Sequence, residues 1–406
     1  MNTLLALAIA ILVGLMMTRL IKLIHLPDVT AYLIAGLLIG PYCLNVLTSE
    51  LNTSLGIISE VALGFIAYSI GAEFKLSYLK EIGIKPIVIT CFESVFASGV
   101  VFLTLWALGA DMPLCLALGA IAAATAPAAT LMVVRQYKAH GPVSKMLLPV
   151  VAMDDATGLM LFAIMSSIAQ ALDDPNASMT VMNLLIAPLL EIIASLAIGF
   201  LIGLALTEIL RLFHSRGKKL ALTIMVVFAG VGLSSVDFWG HNLSSLLVCM
   251  MIGAAMVNMY SQSDVMLEQC DRFTPPLFLL FFVLSGASLN LSVLPTVGVI
   301  GVAYVLARMV GKVLGATTGA IVEKCDRNII KYLGFTLIPQ AGVAIGMARM
   351  SYSSLPNYAD VINAVVLSGT LIYELTGPVI TKIALTRAGE IKPETAKPRK
   401  PAAAVK

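Results

Sequence analysis

Apolar stretches separated by short polar segments recur along the whole chain. Each is about 20 residues long, enough to cross the hydrocarbon core of a bilayer as a helix. In hydrocarbon every backbone N–H and C=O must be satisfied within the protein, and a helix does this within one segment. The pattern predicts an all-α polytopic membrane protein with thirteen spans, at 3–23, 29–47, 54–73, 86–109, 113–134, 146–172, 182–210, 219–236, 242–260, 273–290, 295–322, 329–350 and 359–385.

The basic residues alternate regularly with the spans. Lys and Arg lie in every second connection, beginning with Arg19, and are absent from the segments near 48–53, 110–112, 173–181, 237–241, 291–294 and 351–358. Connections rich in Lys and Arg stay in the cytoplasm. With an odd number of spans, the alternation predicts an N-terminus outside and a C-terminus inside. Arg19 follows the first apolar run, so that run is predicted to be a retained helix and not a cleaved signal.

Composition narrows the class further. Hydrophobic residues make up 59% of the chain and charged residues 12%, about half the charged fraction of a typical soluble domain. The net charge of +3 is small and indicates no nucleic-acid partner. The six cysteines show neither CxxC pairing nor metal-ligand spacing, so no disulfide framework and no zinc site are predicted. Residues 386–406 are polar and contain proline, and are predicted to form a disordered cytoplasmic tail.

The second half of the chain repeats the order of features in the first. A proline interrupts one span in each half, Pro127 and Pro339, and the span that follows carries an acidic residue in mid-membrane, Asp155 and Glu374. The matched segments begin on opposite sides of the membrane, so the repeat is inverted. Inverted repeats with paired interrupted helices are typical of alternating-access transporters. The sequence therefore predicts a transporter with two crossed broken helices.

The adjacent acids Asp154 and Asp155 are the leading candidates for a transport site. A charge in mid-membrane costs several kcal/mol and persists where it is partnered or useful. Two neighbouring carboxylates repel each other, which favours binding a proton or a hard monovalent cation at the pair. A structural ion pair is the alternative, but one bridge does not require two acids. Thr125 and Thr130 flank the first break and offer hydroxyl ligands, although bonding to their own helix explains them about as well.

Two basic residues and two more acids also lie within predicted spans. Arg308 and Lys312 are four residues apart and therefore share one helix face. We expect one of them to neutralise an aspartate; packing counter-charges, or a Lys312 that reaches to the interface, are the alternatives. Glu374 and Glu93 are accessory candidates, because intramembrane acids are functional hypotheses by default, but neither has an obvious partner in the sequence.

Other classes of protein fit these residues less well. An intramembrane aspartyl protease needs two aspartates from different helices, one of them in a GxGD motif, which this chain lacks. Nothing in the chain resembles a channel selectivity filter. A sodium-coupled organic-anion symporter shares crossed broken helices, but it uses Asn, Gln and Glu sites more than a bare aspartate pair. No enzymatic activity and no cofactor are predicted.

The run Met153-Asp154-Asp155-Ala156-Thr157-Gly158, the segment Thr125–Thr130 with Pro127, and Gly311-Lys312-Val313-Leu314-Gly315 carry a resemblance. The chain resembles the monovalent cation:proton antiporter superfamily, specifically its bacterial antiporter-2 branch, from Met1 to about Leu385. Members with a lone Asp after Gln or Asn tend to be potassium-type or electroneutral exchangers. The Asp pair is similar to the electrogenic sodium/proton type, so the resemblance implies exchange of Na⁺ or Li⁺ for H⁺ across a bacterial inner membrane. A K⁺/H⁺ antiporter of the same fold is the alternative.

The resemblance also implies roles and domains. Asp155 would carry the cation and the proton in turn, while Asp154 would pair with Lys312. Two protomers would form a homodimer among membrane lipids, and a core would move between the two sides like an elevator. The implied ranges are a dimerisation domain at 1–47, a linker helix and the rest of that domain at 182–260, and a core transport domain at 54–172 and 273–385.

Overall fold

The computed structural model describes residues 2–23, 26–72, 74–76, 83–173, 187–234, 243–289 and 297–391, without a few of the side chains inside these ranges. Every regular element in the described ranges is a helix, which confirms the predicted all-α class. The helices are α1 (Thr3–Lys22), α2 (Asp28–Ile39), α3 (Ser49–Ser54), α4 (Gly56–Ala72), α5 (Lys85–Ala107), α6 (Met112–Ala122), α7 (Pro127–Gln136), α8 (Pro142–Asp173), α9 (Ala187–Leu212), α10 (Arg216–Ser234), α11 (Ser245–Met259), α12 (Ser263–Phe273), α13 (Pro275–Ala287), α14 (Gly298–Val322), α15 (Arg327–Thr336), α16 (Gly342–Ser354) and α17 (Ala359–Arg387).

Helix lengths decide which of the predicted spans meet the ordinary criterion for crossing a membrane. Six helical segments of the described chain are long and apolar enough by length and composition, and the pair α12 and α13, bent by 49°, would make a seventh. Helices α2, α4 and α11 are apolar but only 12, 17 and 15 residues long, and α15 and α16 are each too short for a full span. The multi-pass membrane fold is therefore supported, while the count of thirteen and the orientation stay predictions.

Two helix breaks occur where the sequence places them. The chain leaves α6 at Ala122 and resumes a helix at Pro127, and it leaves α15 at Thr336 and resumes at Gly342, beyond Pro339. Proline at the first position of α7 fits because that position needs no backbone N–H donor. The two breaks touch, since the N–H of Ala126 donates to the carbonyl of Pro339 at 2.8 Å.

The helices pack in two groups. In the scaffold group, α1–α4 and α9–α13, the main contacts run between α9 and α11, α4 and α11, and α2 and α13. In the core group, α5–α8 and α14–α17, they run between α5 and α14, α6 and α8, and α5 and α6. The division into a dimerisation domain and a core stays a prediction. The predicted core ranges 54–172 and 273–385 include α4 and α13. The contacts of these two helices favour assigning them to the scaffold group instead.

Glycines explain how α4 and α13 approach their partners. A Cβ built on Gly71 of α4 would lie 1.7 Å from the carbonyl oxygen of Met250 on α11. A Cβ on Gly36 of α2 would lie 1.9 Å from the carbonyl oxygen of Val283 on α13. Only glycine permits such backbone contact, which is typical of membrane helix pairs.

The start of the C-terminal segment is ordered, contrary to the predicted tail at 386–406. Helix α17 runs to Arg387, and the buried Glu390 carboxylate accepts the backbone N–H groups of Val143 and Ser144 at 2.5 and 2.8 Å. N–H groups in the first turn of a helix have no partner within the helix. The Glu390 carboxylate accepts these two, and its negative charge stabilises the N-terminal end of α8. Residues 392–406 lie outside the described part of the chain.

Candidate functional site

The basic residues of α14 are fully buried beside the two breaks. Arg308 and Lys312 lie one turn apart on one face of the helix, each with 0% exposure. Their approach depends on a stripe of glycines: Cβ atoms on Gly311 and Gly315 would lie 2.7 and 2.6 Å from the Cα atoms of Ala97 and Glu93 on α5. The stripe lets α5 lie directly against α14, which puts Glu93 beside Lys312.

The carbonyl groups at the end of α6 are each met by a side-chain donor. The last carbonyls of a helix have no partner within it, and in a buried break they must find one elsewhere. The donors are Gln340 Nε2 to Ile121 (3.0 Å), Arg308 Nε to Ala122 (2.9 Å), Lys312 Nζ to Ala123, and Arg308 Nη2 to Ala124 (2.6 Å). Arg308 also donates from Nη1 to the carbonyl of Ile338 in the second break at 2.6 Å. One guanidinium therefore joins both broken helices.

Asp154 completes this cluster from α8. Its carboxylate is fully buried, lies 2.9 Å from Lys312 Nζ through Oδ2, and accepts the hydroxyl of Ser94 at 2.9 Å through Oδ1. The hydroxyl of Thr125 also donates to Asp154 Oδ2. The predicted pairing of Asp154 with Lys312 is thus present in the geometry. The side chain of Asp155, one residue further along α8, lies outside the described part of the structure.

Glu93 is one of the two acids, with Glu374, for which the sequence showed no obvious partner. It is fully buried on α5 and forms an ion pair with Lys312. One lysine therefore lies between two carboxylates, one from α5 and one from α8. Burying charges is costly unless each is paired and hydrogen-bonded, and here Lys312 neutralises at most one of the two acids.

The remaining candidates lie around this cluster. The hydroxyl of Thr130 is 3.4 Å from the carbonyl oxygens of both Ala126 and Thr336, so its contacts are with backbone carbonyls and not with Asp154. Pro127 and Pro339 lie at the two breaks. Glu374, on α17, is buried and lines a cavity of about 390 Å³ that also reaches Thr125 and Pro127. Gly377, one turn further on, packs against Pro339.

Sequence reasoning missed several residues that complete the site. Ser94 joins Asp154 to Thr157, whose hydroxyl is 3.0 Å away. Gln340 directly follows Pro339, the second helix-breaking proline. That position could have indicated a hydrogen-bond donor to the free carbonyl groups at the helix breaks. Tyr373 places its ring 4.6 Å from the Arg308 guanidinium carbon, an arrangement that stabilises a buried cation, but nothing in the sequence links residues 308 and 373.

Chemically, the cluster offers hard oxygen ligands next to a buried ammonium group. Carboxylate, hydroxyl and backbone carbonyl oxygens are the ligands that hard cations prefer. Lys312 is an ammonium on a flexible stem, whereas Arg308 is a permanently charged group held by three carbonyls. A cation entering beside Asp154 would take the electrostatic place of Lys312. The arrangement is suited to exchanging one positive charge for another.

Comparison with known proteins agrees with this geometry. The family model described as "Sodium/hydrogen exchanger, transmembrane" matches residues 7–385. An ammonium/H⁺ antiporter subunit, AmhT, of Alkalihalophilus pseudofirmus is 22% identical over 364 residues, covering 88% of this chain and 89% of the relative. Na⁺/H⁺ antiporter 1 of Methanocaldococcus jannaschii is 24% identical over 340 residues, covering 78% of this chain and 76% of the relative.

Solved structures share the fold. Two structures of the sodium proton antiporter MjNhaP1 of Methanocaldococcus jannaschii superpose with TM-scores of 0.70 and 0.75 at 18% and 19% identity. The first match covers 95% of this chain and 96% of the other, and the second covers 97% and 100%. Agreement over almost the whole length shows that the helices follow one another in space as they do in that antiporter.

Proposed function

The chain belongs to the sodium/hydrogen exchanger family, and from that premise we propose that it exchanges Na⁺ or Li⁺ for H⁺ electrogenically across the bacterial inner membrane. The family consists of secondary transporters and not of enzymes, and the chain is a multi-pass membrane protein of the Na⁺/H⁺ antiporter type. The cation, the direction of net charge movement, the membrane and a homodimeric assembly are the parts of the proposal that go beyond family membership.

The observation that carries the proposal is the position of Lys312. It lies between Asp154 and Glu93, with no exposure to solvent, at the contact of the two broken helices. Two described carboxylates share this one ammonium, because Arg308, the other buried cation of the cluster, donates to backbone carbonyls instead. The oxygens around Asp154, from Thr125 and Ser94, are ligands that Na⁺ and Li⁺ accept.

Exchange then follows from competition for one carboxylate. In the cation-free state Asp154 holds the ammonium of Lys312. A cation that binds at Asp155 and Asp154 removes this partner, and Lys312 releases its proton, as a buried lysine can and an arginine cannot. When the cation leaves, Lys312 takes up a proton and the ion pair forms again. The two fluxes are coupled because the cation and the lysine proton exclude each other.

Movement of the core group against the scaffold group supplies access to both sides. The broken helices, Asp154 and Lys312 all belong to the core group and are cross-linked by Arg308. Such a unit can shift as a rigid body, as in the alternating-access folds built from inverted repeats. The scaffold group, with its glycine-mediated contacts, provides the static part and the dimer surface.

The test is cation-driven proton movement in proteoliposomes. Purified protein is reconstituted with an imposed pH gradient, and Na⁺, Li⁺, K⁺ or NH₄⁺ is added separately. Dissipation of the gradient by Na⁺ and Li⁺ is expected. The Asp155→Asn variant should abolish it while remaining folded by size-exclusion chromatography, because it removes the proposed titrating ligand. Asp360→Asn is the matched control, since it removes an exposed carboxylate at the start of α17.

Other outcomes separate the alternatives. A response to K⁺ alone would make the protein a K⁺/H⁺ antiporter of the same fold. The name of the Alkalihalophilus pseudofirmus relative makes ammonium a cation to test as well. Absence of proton movement with every cation, together with Na⁺-dependent uptake of an organic anion, would favour a symporter. Exchange by Asp155→Asn at the wild-type rate would contradict the assignment of the site.

A further inference from the structure

A cavity of about 390 Å³ separates the core group from the scaffold group near the loops predicted to face outside. Tyr42 and Ser288, which lie just beyond the ends of α2 and α13, mark its outer rim. Its inner wall contains Thr125, whose hydroxyl donates to Asp154. The cavity therefore extends from the ends of α2 and α13 to a residue that contacts the ion-pair cluster.

Glu374 projects from α17 into this cavity without a balancing charge. It is 6% exposed, and among the described residues no hydrogen bond or ion pair reaches its carboxylate. Asp154 and Glu93, two other buried acids of the core group, contact Lys312, and the buried Glu390 accepts two backbone N–H groups. A buried carboxylate that faces a cavity unpaired either takes up a proton or binds a cation that enters from outside the protein.

Thr370 supplies a second, independent observation. It lines the same cavity, and its buried hydroxyl has no hydrogen-bond partner among the residues that the structure describes. Residues 370 and 374 are four apart on α17 and therefore lie one above the other on a single face. Most threonine hydroxyls in a membrane helix bond to the carbonyl four residues earlier, as Thr376 does to Ile372 at 2.7 Å. The hydroxyl of Thr370 is free to bind something in the cavity.

We propose that Glu374 and Thr370 form a second cation site, which holds a monovalent hard cation in the cavity before it reaches Asp154. This rests on the proposed function for the choice of cation, and it adds a site that the exchange reaction itself does not require. The ligands are one carboxylate oxygen, one hydroxyl oxygen and waters in the remaining space, a set suited to Na⁺ or Li⁺. A negative group in a low-dielectric cleft also raises the local concentration of cations.

The site has a sidedness that a structural role would lack. Because the cavity opens towards the predicted outer face, removing Glu374 should weaken loading from that face and leave loading from the cytoplasmic face nearly unchanged. We expect Glu374→Gln to raise the apparent KM for Na⁺ about tenfold in right-side-out vesicles. Inside-out vesicles should give the wild-type KM.

Direct binding decides the proposal independently of transport. Radioactive Na⁺ is bound to purified protein in detergent, and the number of ions per protomer is measured for the wild type, Glu374→Gln, Thr370→Val and Asp360→Asn. We expect Glu374→Gln to lose one ion per protomer and Thr370→Val to keep the ion at weaker affinity. Asp360→Asn, on the same helix but exposed and away from the cavity, should bind as the wild type does.

The outcomes separate this site from the exchange reaction. Unchanged Na⁺ binding by Glu374→Gln overturns the second site, whatever the transport result. Loss of one bound ion in a protein whose wild type moves no protons supports the second site and overturns the proposed antiport. A change in the proton dependence of transport, with an unchanged Na⁺ stoichiometry, would make Glu374 a proton group and would also overturn the cation site.

Discussion

At the residue scale, Arg308 and Lys312 are neighbours on α14 with different contacts. Arg308 donates to three backbone carbonyls at the two breaks and lies over the ring of Tyr373. Lys312 donates to one carbonyl, that of Ala123, and also contacts the carboxylates of Asp154 and Glu93. Since guanidinium does not deprotonate in proteins while a buried ammonium can, the first group is suited to holding the broken helices together and the second to taking part in exchange.

We therefore expect the two glutamine variants to fail in different ways. Arg308→Gln should lower the melting temperature in detergent, because each buried carbonyl left without a donor costs about 1–3 kcal/mol. Lys312→Gln should fold and lose charge movement per cycle, retaining at most electroneutral exchange through Asp155. The measurement is transport current on a solid-supported membrane together with tracer exchange. Wild-type current per ion exchanged in Lys312→Gln would leave Lys312 as a structural partner only.

The sequence predicted part of this cluster. Asp154, Lys312, Thr125 and Pro127 were all named from their position in mid-membrane or at a break, and the structure brings them together. Glu93 was named without a partner, because hydrophobic patterns place residues along a helix and do not say which helices touch. The contact between α5 and α14 is a feature of the tertiary structure. Without it, nothing in the sequence distinguishes Ser94 or Tyr373 as site residues.

At the element scale, the contact between α5 and α14 depends on the glycines of α14. Gly311, Gly315 and Gly319 recur at intervals of four, and Cβ atoms on them would lie 2.6–2.8 Å from backbone atoms of α5. Small residues at this spacing let membrane helices approach closely. The sequence showed the glycines next to Lys312, but only the structure shows that they place Glu93 opposite it.

Gly315→Ala should consequently separate Glu93 from Lys312. The added methyl carbon would lie 2.6 Å from the Cα of Glu93, so α5 must move, and overpacking of this kind costs about 1–3 kcal/mol. We expect a lower melting temperature and slower exchange. Gly99→Ala is the matched control on α5, because its Cβ meets nothing within 4 Å and alanine is the better helix former. Equal stability of the two variants would show that the glycine contact does not position Glu93.

The elements were predicted more accurately than their lengths. The breaks at Pro127 and Pro339 follow from the missing N–H and fixed φ of proline, which are local properties. The predicted span at 29–47 is a helix only over Asp28–Ile39, because the chain turns after Gly40. Apolar residues continue through this turn, so hydrophobicity alone does not show where the helix ends.

At the scale of the whole molecule, an ion pair joins the two packing groups in the described part of the chain. Arg135 on α7 of the core group forms an ion pair with Asp271 on α12 of the scaffold group, at 2.8 Å. Lys75, which follows α4, forms one with Asp264 on α12 at 3.0 Å, so both partners belong to the scaffold group. Both pairs lie on the side predicted to be cytoplasmic and are similar in chemistry. They differ in whether the proposed elevator movement must break them.

This difference gives a direct test of the elevator mechanism. In a variant whose native cysteines are replaced and which still transports, Arg135→Cys with Asp271→Cys, or Lys75→Cys with Asp264→Cys, is bridged by a short bifunctional thiol reagent. The first bridge should stop cation-driven proton movement, because it ties the moving group to the static one, and reduction of a cleavable reagent should restore it. The second bridge joins two static elements and should leave the transport rate unchanged. Full activity with the first bridge in place would exclude a rigid-body movement of the core group at this contact. Loss of activity with both bridges would show that α4 and α12 move relative to each other. In that case the division into two groups is wrong.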